Sequence, residues 1–374
     1  MRRLPLVFVA GFLAVGFAGL RAQTSPAQDP TSTDPVSVEI RRWSDYIKTN
    51  TATDELWTQA RQAAEPALER ASRAMRDGRR LLAIQRLAAA RELLAASQYV
   101  AQQPAKGDAA AFEAEWTRLG RTLTAGVSAA RSSTVTNLRP AALRAIAEAS
   151  LSQVKVYHDA SLEYGRNTMP ENGFFYLGTA RAQLGLVELL PSFSTSAVGG
   201  TGGAAIVPRS LSAELDALEA HLLAAYRPPA AIDRHPEFIR ASAALKEARE
   251  LEAAGHRHGA LLRYLQAAQR VAPLRPSPPA SLEPSAAAAS LKDWQSRLSK
   301  DGRDHSLAQL VLEEAQAALE GGAPGAPAGN AAAAAIIPND VLPRYLAALE
   351  PAKAAPAQPA AAAVTVTLVR WPYT

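Results

Sequence analysis

Two histidines two residues apart are the first candidates for chemistry in this chain. His256 and His258 flank Arg257 in the stretch EAAGHRHGALLRYLQAAQRV. Side chains two apart on a helix point about 200° away from each other, so this pair could chelate a metal only in an extended segment. No further Asp, Glu or His nearby completes a site. Because Gly255 and Gly259 place the histidines at a turn between helices, we expect them to face solvent, and we predict no metal site.

Motifs typical of common enzymes are missing from the sequence. It contains no HExxH, no GxxxxGK[ST], no GxSxG and no Glu-x-x-His pair of the kind used by di-iron bundles. An SxxK motif at 152–155 lies within a continuous helical pattern and no KTG follows it, and GGTGG at 199–203 lacks the flanking strand and helix of a nucleotide-binding loop. We therefore predict no catalytic residue and no cofactor.

The densest aromatic group in the chain lies between residues 157 and 176. His158 and Glu163 are five apart and do not share a helix face as residues three or four apart do, so His158 is expected to be a packed or surface residue. Core packing is also the first expectation for the aromatic side chains. If the chain has a ligand pocket, we expect it here, around the predicted loop 165–173, with contacts from Tyr157, Tyr164, Asn167, Phe175 and Tyr176.

A second candidate surface is rich in arginine. The segment from Trp116 to Ala147 has five arginines, among them Arg118 and Arg121, and no acidic residue. It is either a solvated helix face, which we favour, or a patch for an anionic partner. The formal net charge of +5 includes three arginines within residues 1–22, so the remaining chain carries only about +2. This small excess does not favour nucleic-acid binding.

The first 22 residues resemble a secretory signal peptide. Arg2 and Arg3 precede an apolar run over residues 4–20, and we predict cleavage after Ala22, with cleavage after Ala18 as the alternative. An uncleaved anchor is the rival interpretation, and it would be the chain's only membrane contact. The protein is thus expected to be exported, most simply to the periplasm. Without cysteine, its fold cannot use disulfides.

Apolar spacing and caps predict an all-α fold. Val36, Ile40, Trp43 and Ile47 recur at helical spacing, and Asp34 is a suitable helix cap before Pro35. The predicted regions are a disordered lead (23–33), an N-terminal helical region (34–190), a glycine-rich loop (191–209), C-terminal helical hairpins (210–320), an Ala/Pro-rich linker (321–363) and a strand-like tail (364–374). The tail contains Trp371 and could add to the sheet of a partner.

Two stretches align without a gap at an offset of 177 residues. Residues 67–90 and 244–267 share glycine at Gly78 and Gly255, arginine at Arg86 and Arg263, and several alanines. In each, a glycine able to adopt the left-handed conformation separates two helices. The remaining residues that define the pattern are Ala83, Ala90, Ala248, Ala260, Tyr264 and Ala267.

This spacing resembles the tetratricopeptide repeat. The resemblance covers about 70 residues in two copies that are not in tandem, so the fold is expected to be tetratricopeptide-like hairpins within an irregular α-solenoid or bundle. It implies a concave surface that binds a peptide or protein, and no catalysis. The favoured function is therefore an exported, non-catalytic scaffold that binds another protein. A helical-bundle binder of a small or anionic ligand is the alternative, and an enzyme comes third.

Overall fold

The computed structural model describes residues 33–167, 169–194, 204–226, 232–274, 284–320 and 336–349. This part of the chain is 86% helical, with twelve α-helices and no strand, so the all-α prediction is confirmed. A single parallel bridge joins Ala204 to Arg303. The predicted signal peptide, most of the Ala/Pro-rich linker and the strand-like tail with Trp371 lie outside the described residues.

The helices in chain order are α1 (Pro35–Thr49), α2 (Glu55–Arg76), α3 (Arg80–Ala101), α4 (Ala109–Ala130), α5 (Ala141–Asn167), α6 (Pro170–Ser194), α7 (Ser212–Ala225), α8 (His235–Ala253), α9 (Arg257–Val271), α10 (Pro284–Lys300), α11 (Ser306–Glu320) and α12 (Leu342–Leu349). No helix in these ranges combines the length and the apolar character that a membrane span requires.

Both ends of α6 differ from the prediction. The loop expected over 165–173 is reduced to the short link before Pro170, which begins α6. A proline suits the first turn of a helix because the backbone N–H it lacks would have no partner there. At the other end the helix continues through Pro191 to Ser194, four residues past its expected limit.

The first helix forms as its sequence predicts. The Oδ1 atom of Asp34 accepts hydrogen bonds from the backbone N–H of Val36 at 2.8 Å and of Ser37 at 3.3 Å. Pro35 occupies the first turn. The apolar face of α1, including Ile40 and Trp43, is buried in the core.

Both aligned stretches adopt the same turn. Gly78 and Gly255 have φ values of 72° and 75°, and Gly302 after α10 has a φ of 74°. The backbone N–H of the residue after each of the first two glycines donates a hydrogen bond to a carbonyl in the last turn of the preceding helix. Arg79 N lies 2.7 Å from Ala74 O, and His256 N lies 2.8 Å from Leu251 O. Helix α2 packs on α3 and α8 packs on α9. Membership of a repeat family stays a prediction.

The side chains that define the aligned pattern are buried where these helices meet. None of them is more than 1% exposed: Ala83, Ala90, Ala248, Ala260, Tyr264 and Ala267. A close approach through small residues also occurs between α3 and α6. A Cβ added at Gly178 would lie only 2.9 Å from the Cα of Ala96.

Carboxylates from distant helices cap the helices that follow these turns. Neither Arg79 nor His256, the residues at the cap positions, provides a side-chain hydrogen bond. Glu313 of α11 accepts from Leu82 N at 2.9 Å, and Glu148 of α5 accepts from Gly259 N at 2.8 Å. The two donors are the third residues of α3 and α9.

Helix α5 receives its cap in the same way. Asp304, just before α11, accepts from Ala141 N at 2.7 Å, and the hydroxyl of Ser306 accepts from Ala142 N at 3.0 Å. Helix α5 packs in turn against α4, α6, α9 and α11. Together with the contact of α3 with α11, it connects the N-terminal helices to the C-terminal ones.

The turn geometry predicts a difference between two glycine substitutions. Gly255→Ala forces a side chain into the left-handed region, which costs roughly 1–2 kcal/mol of the free energy of unfolding. Gly107→Ala is the matched control, since an added Cβ meets no atom within 4 Å at either site and Gly107 lacks a positive φ. Urea denaturation of both variants measures the difference. Equal stability of the two variants would contradict the turn geometry.

Candidate functional site

The aromatic residues expected near a ligand pocket pack against one another between α5 and α6. The rings of Tyr164 and Tyr176 stack with centroids 4.4 Å apart, and Phe175 meets Tyr176 edge-on at 6.3 Å. Tyr157 lies 6.2 Å from Tyr176 and is buried. Asn167 ends α5, and its side chain is outside the described part of the structure. The arrangement is one of core packing, so a role in ligand binding stays a prediction.

The two arginines singled out on α4 are both exposed. Arg118 holds Glu115 with two hydrogen bonds of 2.6 Å. Arg121 lines a shallow groove of about 560 Å³, open to solvent, beside Trp116 and His158. The latter two rings stack at 4.7 Å, and the Nε1 of Trp116 donates to the carbonyl of His158 at 3.1 Å. A single arginine, Arg121, beside the stacked rings of Trp116 and His158 is a weak basis for recognising an anion.

The prediction that His256 and His258 face solvent is wrong, since both are buried. The Nε2 of His258 lies 3.3 Å from the carbonyl of Ile206, and its Nδ1 lies 3.7 Å from Glu148. Arg131 donates to the Nε2 of His256 at 3.1 Å. The partners of the two histidines lie 52 to 125 residues away in sequence, so the local sequence pattern could not predict that the histidines are buried.

These contacts brace the start of α9 against α5. Burial alone would raise the pKa of Glu148, but interactions with His258 and with the backbone of Gly259 lower it below its usual value. Burial lowers the pKa of His256. The groups are thus arranged to stabilise a helix junction. The described residues contain no group of three or more Asp, Cys, Glu or His side chains that could hold a metal ion.

An exposed apolar corner forms where the end of α7 meets the start of α8. Tyr226 stacks on Phe238 with ring centroids 4.2 Å apart, and its hydroxyl lies 2.8 Å from the Nδ1 of His235. Three aliphatic side chains of the same segments are at least half exposed: Leu223 (60%), Ile232 (57%) and Ile239 (50%). We call these six residues the α7–α8 corner. No motif in the sequence marks it.

A buried carboxyl group, which no sequence motif marks, lies in the interior beside Tyr157. Glu92 of α3 accepts a hydrogen bond from the Nε2 of Gln183 at 2.8 Å and another from Tyr157. It is 6% exposed, and burial raises its pKa to about 7. Arg263 lowers the pKa of Glu92 and Glu247 raises it, so these two charged residues lie close by.

Glu247 and Arg263 form an ion pair that joins α8 to α9. The Nε of Arg263 lies 2.8 Å from the carboxylate of Glu247, and its Nη1 donates to the side chain of Gln266 at 2.9 Å. Arg263 is only 4% exposed. An ion pair of this burial needs most of its donors satisfied. The charges of Arg263 and Glu247 compensate each other.

Beyond this pair lie three further arginines, which we call the arginine cluster: Arg70 of α2, Arg86 of α3 and Arg270 of α9. All three are half-buried. The Nη1 of Arg86 donates to the carbonyl of Arg70 at 3.0 Å. Glu314 of α11, also half-buried, interacts electrostatically with both Arg86 and Arg270. Within the described residues, the side chains of Arg270 and Glu314 form no hydrogen bond and no ion pair within 4 Å.

The charges in the cluster are only partly compensated. Burial first, and then the charge of Arg70, lowers the pKa of Arg86 to about 10. Burial and the charge of Arg263 lower the pKa of Arg270. Burial likewise raises the pKa of Glu314, against the attraction of the two arginines.

The 177-residue offset also relates the helix faces that carry these side chains. Arg86, Ala89 and Leu93 of α3 correspond to Arg263, Gln266 and Arg270 of α9 at the 177-residue offset, and each set lies on one helix face. Helices α3 and α9 do not pack closely on each other in the described structure, although both pack on α5. Arg86 of α3 and Arg270 of α9 therefore lie on equivalent faces of their helices.

Neither a scan against protein-family models nor searches of curated proteins and of solved structures found a match to this chain.

The buried carboxyl of Glu92 predicts a pH dependence of stability. Its pKa is about 7 in the folded protein against an ordinary value of 4.5, so the folded state favours the protonated form. The resulting stabilisation is complete below the ordinary pKa and is lost as the pH rises through about 7. Relative to Glu92→Gln, the unchanged protein should lose about 3 kcal/mol of unfolding free energy across this range.

Urea denaturation at a series of pH values measures this difference. Glu65→Gln, which changes an exposed glutamate of α2, is the control and should leave the pH profile nearly parallel to that of the unchanged protein. A parallel profile for Glu92→Gln as well would show that Glu92 does not titrate differently on folding.

Proposed function

We propose that this chain is an exported, non-catalytic binding protein that holds another protein in the cell envelope. The observation that carries the proposal is the α7–α8 corner. Exposed aliphatic side chains grouped around stacked aromatic rings are typical of surfaces that bind proteins, because an apolar patch gains free energy when a partner covers it. Tyrosine is also enriched among the residues that contribute most to such interfaces.

Two other functions have an observation in their favour. The arginine cluster favours a binder of a small or anionic ligand, and a protein could carry this site beside the α7–α8 corner. The Glu92–Tyr157 hydrogen bond favours an enzyme, since it joins two buried titratable groups. We rank the enzyme last because Glu92 and Tyr157 are both buried in the core and the carboxylate of Glu92 already accepts a hydrogen bond from Gln183.

Site-specific crosslinking tests the proposed partner surface. A photo-reactive amino acid at Ile239 of the full chain, expressed in the cells that produce it, should form an adduct with one partner protein. Val156 is the matched control, because it is also an aliphatic residue on an exposed helix face, 45% exposed, but lies on α5. The same partner should be captured from Leu223.

The substitution Ile239→Glu should abolish recovery of this partner, and Val156→Glu should not. Equal adduct yields from Ile239 and Val156 would overturn the proposal. An adduct with twice the mass of the chain as the only product would also overturn it, because the α7–α8 corner would then be a contact between two copies.

Export has its own test. Mass spectrometry of the protein recovered from the envelope fraction should find an N-terminal peptide that begins at Gln23. A chain that retains Met1 in the membrane fraction would instead support the uncleaved anchor, and a chain that retains Met1 in the cytoplasmic fraction would contradict export.

A further inference from the structure

We infer that the surface formed by α9, α10 and α11 binds an amphipathic helix of a partner protein, and that residues 336–349 of this chain occupy it when the partner is absent. We call these residues the docked segment. They include a short π-helical turn, Ile337–Val341, followed by α12. The turn packs against α9, α10 and α11, and α12 packs against α9. This surface is distinct from the α7–α8 corner, and the inference does not depend on the proposed function.

One face of the docked segment is completely buried against the rest of the chain. Ile337, Val341, Leu342 and Tyr345 are each 0% exposed, whereas Asn339 is exposed. Ile337, Val341 and Tyr345 follow one another at intervals of four residues, which is the spacing of side chains on one side of a helix. Anchors at this spacing are typical of amphipathic helices that bind in a groove of another protein.

Side-chain hydrogen bonds make this apolar contact selective. The hydroxyl of Tyr345 lies 2.9 Å from the Nδ1 of His305, and the two rings meet edge-on with centroids 5.7 Å apart. The Nε2 of His305 lies 3.1 Å from the carboxylate of Asp301. The Nη1 of Arg344 donates to the hydroxyl of Tyr264 on α9 at 3.2 Å. A helix without tyrosine and arginine at these positions would leave buried polar groups unpaired, so the surface selects a sequence.

The docked segment is joined to the rest of the chain by stretches without large apolar side chains. Residues 321–335 contain only Gly, Ala, Pro and one Asn, and residues 350–363 contain only Ala, Pro, Glu, Lys and Gln. At its far end, the backbone N–H of Arg209 donates to the carbonyl of Ala348 at 3.0 Å, and the Nε of Arg209 donates to that of Ala347 at 2.7 Å. The contact thus has the form of a protein bound to a short peptide motif that its own chain carries.

The docked segment is a weak occupant of this surface. Helix α12 has only 8 residues, and isolated helices shorter than about 12 residues are marginal in water. The segment must therefore become ordered each time it binds. A longer partner helix with the same residues on one face is ordered in advance and binds more tightly. The covalent link to α11 offsets part of this difference, because it holds the segment at an effective concentration on the order of millimolar.

Fluorescence anisotropy with two labelled peptides tests the surface on the full chain. One peptide has the sequence of the docked segment, and the other places the same residues within a longer helix of Ala, Glu and Lys. We expect the longer peptide to bind roughly tenfold more tightly. Both should bind roughly a hundredfold more tightly to a Tyr345→Glu chain, whose own segment is displaced by the buried charge. Asn339→Glu adds the same charge at an exposed position and is the matched control.

Circular dichroism checks that each variant is folded. No saturable binding of either peptide to the folded Tyr345→Glu chain would overturn the inference. Equal binding to the unchanged, Tyr345→Glu and Asn339→Glu chains would also overturn it, because the peptides would then bind elsewhere. A longer peptide that binds no more tightly than the shorter one would show that a preformed helix has no advantage over the docked segment, which contradicts displacement by a partner.

A substitution in the peptide tests the polar contact without altering the protein. The Tyr345→Phe form of the longer peptide should bind roughly tenfold more weakly to the Tyr345→Glu chain, since His305 then loses its hydrogen-bond partner. Adding His305→Ala to that chain should remove the difference between the two peptides. Equal affinities of the tyrosine and phenylalanine peptides for the chain with His305 intact would contradict the selective contact.

Light scattering distinguishes a partner helix from a second copy of this chain. We expect the longer peptide to increase the mass of the unchanged chain only by its own mass. A dimer that dissociates when the longer peptide is added would show that a second copy supplies the docked segment, and it would overturn the inference of a partner protein.

Discussion

The caps of three helices depend on carboxylates supplied from elsewhere in the chain. Helices α3 and α9 follow tight glycine turns and have no side-chain cap of their own, so Glu313 and Glu148 supply the acceptors. Asp304 does the same for α5. A buried helix terminus without such partners would leave backbone N–H groups unsatisfied, at a cost of about 1–3 kcal/mol each. The positions of α3, α5, α9 and α11 are therefore coupled.

The cap donors are also equivalent positions of the aligned stretches, because Leu82 and Gly259 are 177 residues apart. Turn, cap donor and inward helix face thus recur together in α2–α3 and α8–α9. The equivalent faces carry different residues, however. Leu93 of α3 corresponds to Arg270 of α9, so the two faces differ in charge although both helices follow the same glycine turn.

The sequence predicts the helices well and the polar interior poorly. Local signals, such as Asp34 before Pro35 or the glycines at 78 and 255, act within a few residues and can be recognised from the sequence alone. The burial of His258 depends on Ile206 and Glu148, which only tertiary packing brings near. In the same way, Arg86 and Arg270 look like ordinary surface arginines until the fold brings Glu314 of α11 within electrostatic reach of both.

The cap of α3 has a consequence for the order in which the protein can be completed. Leu82 N and the carboxylate of Glu313 are separated by 231 residues. As a ribosome makes the chain, the first glycine turn is present early, but its closing acceptor is among the later parts to be made. The N–H of Leu82 therefore lacks this acceptor until synthesis has passed α11.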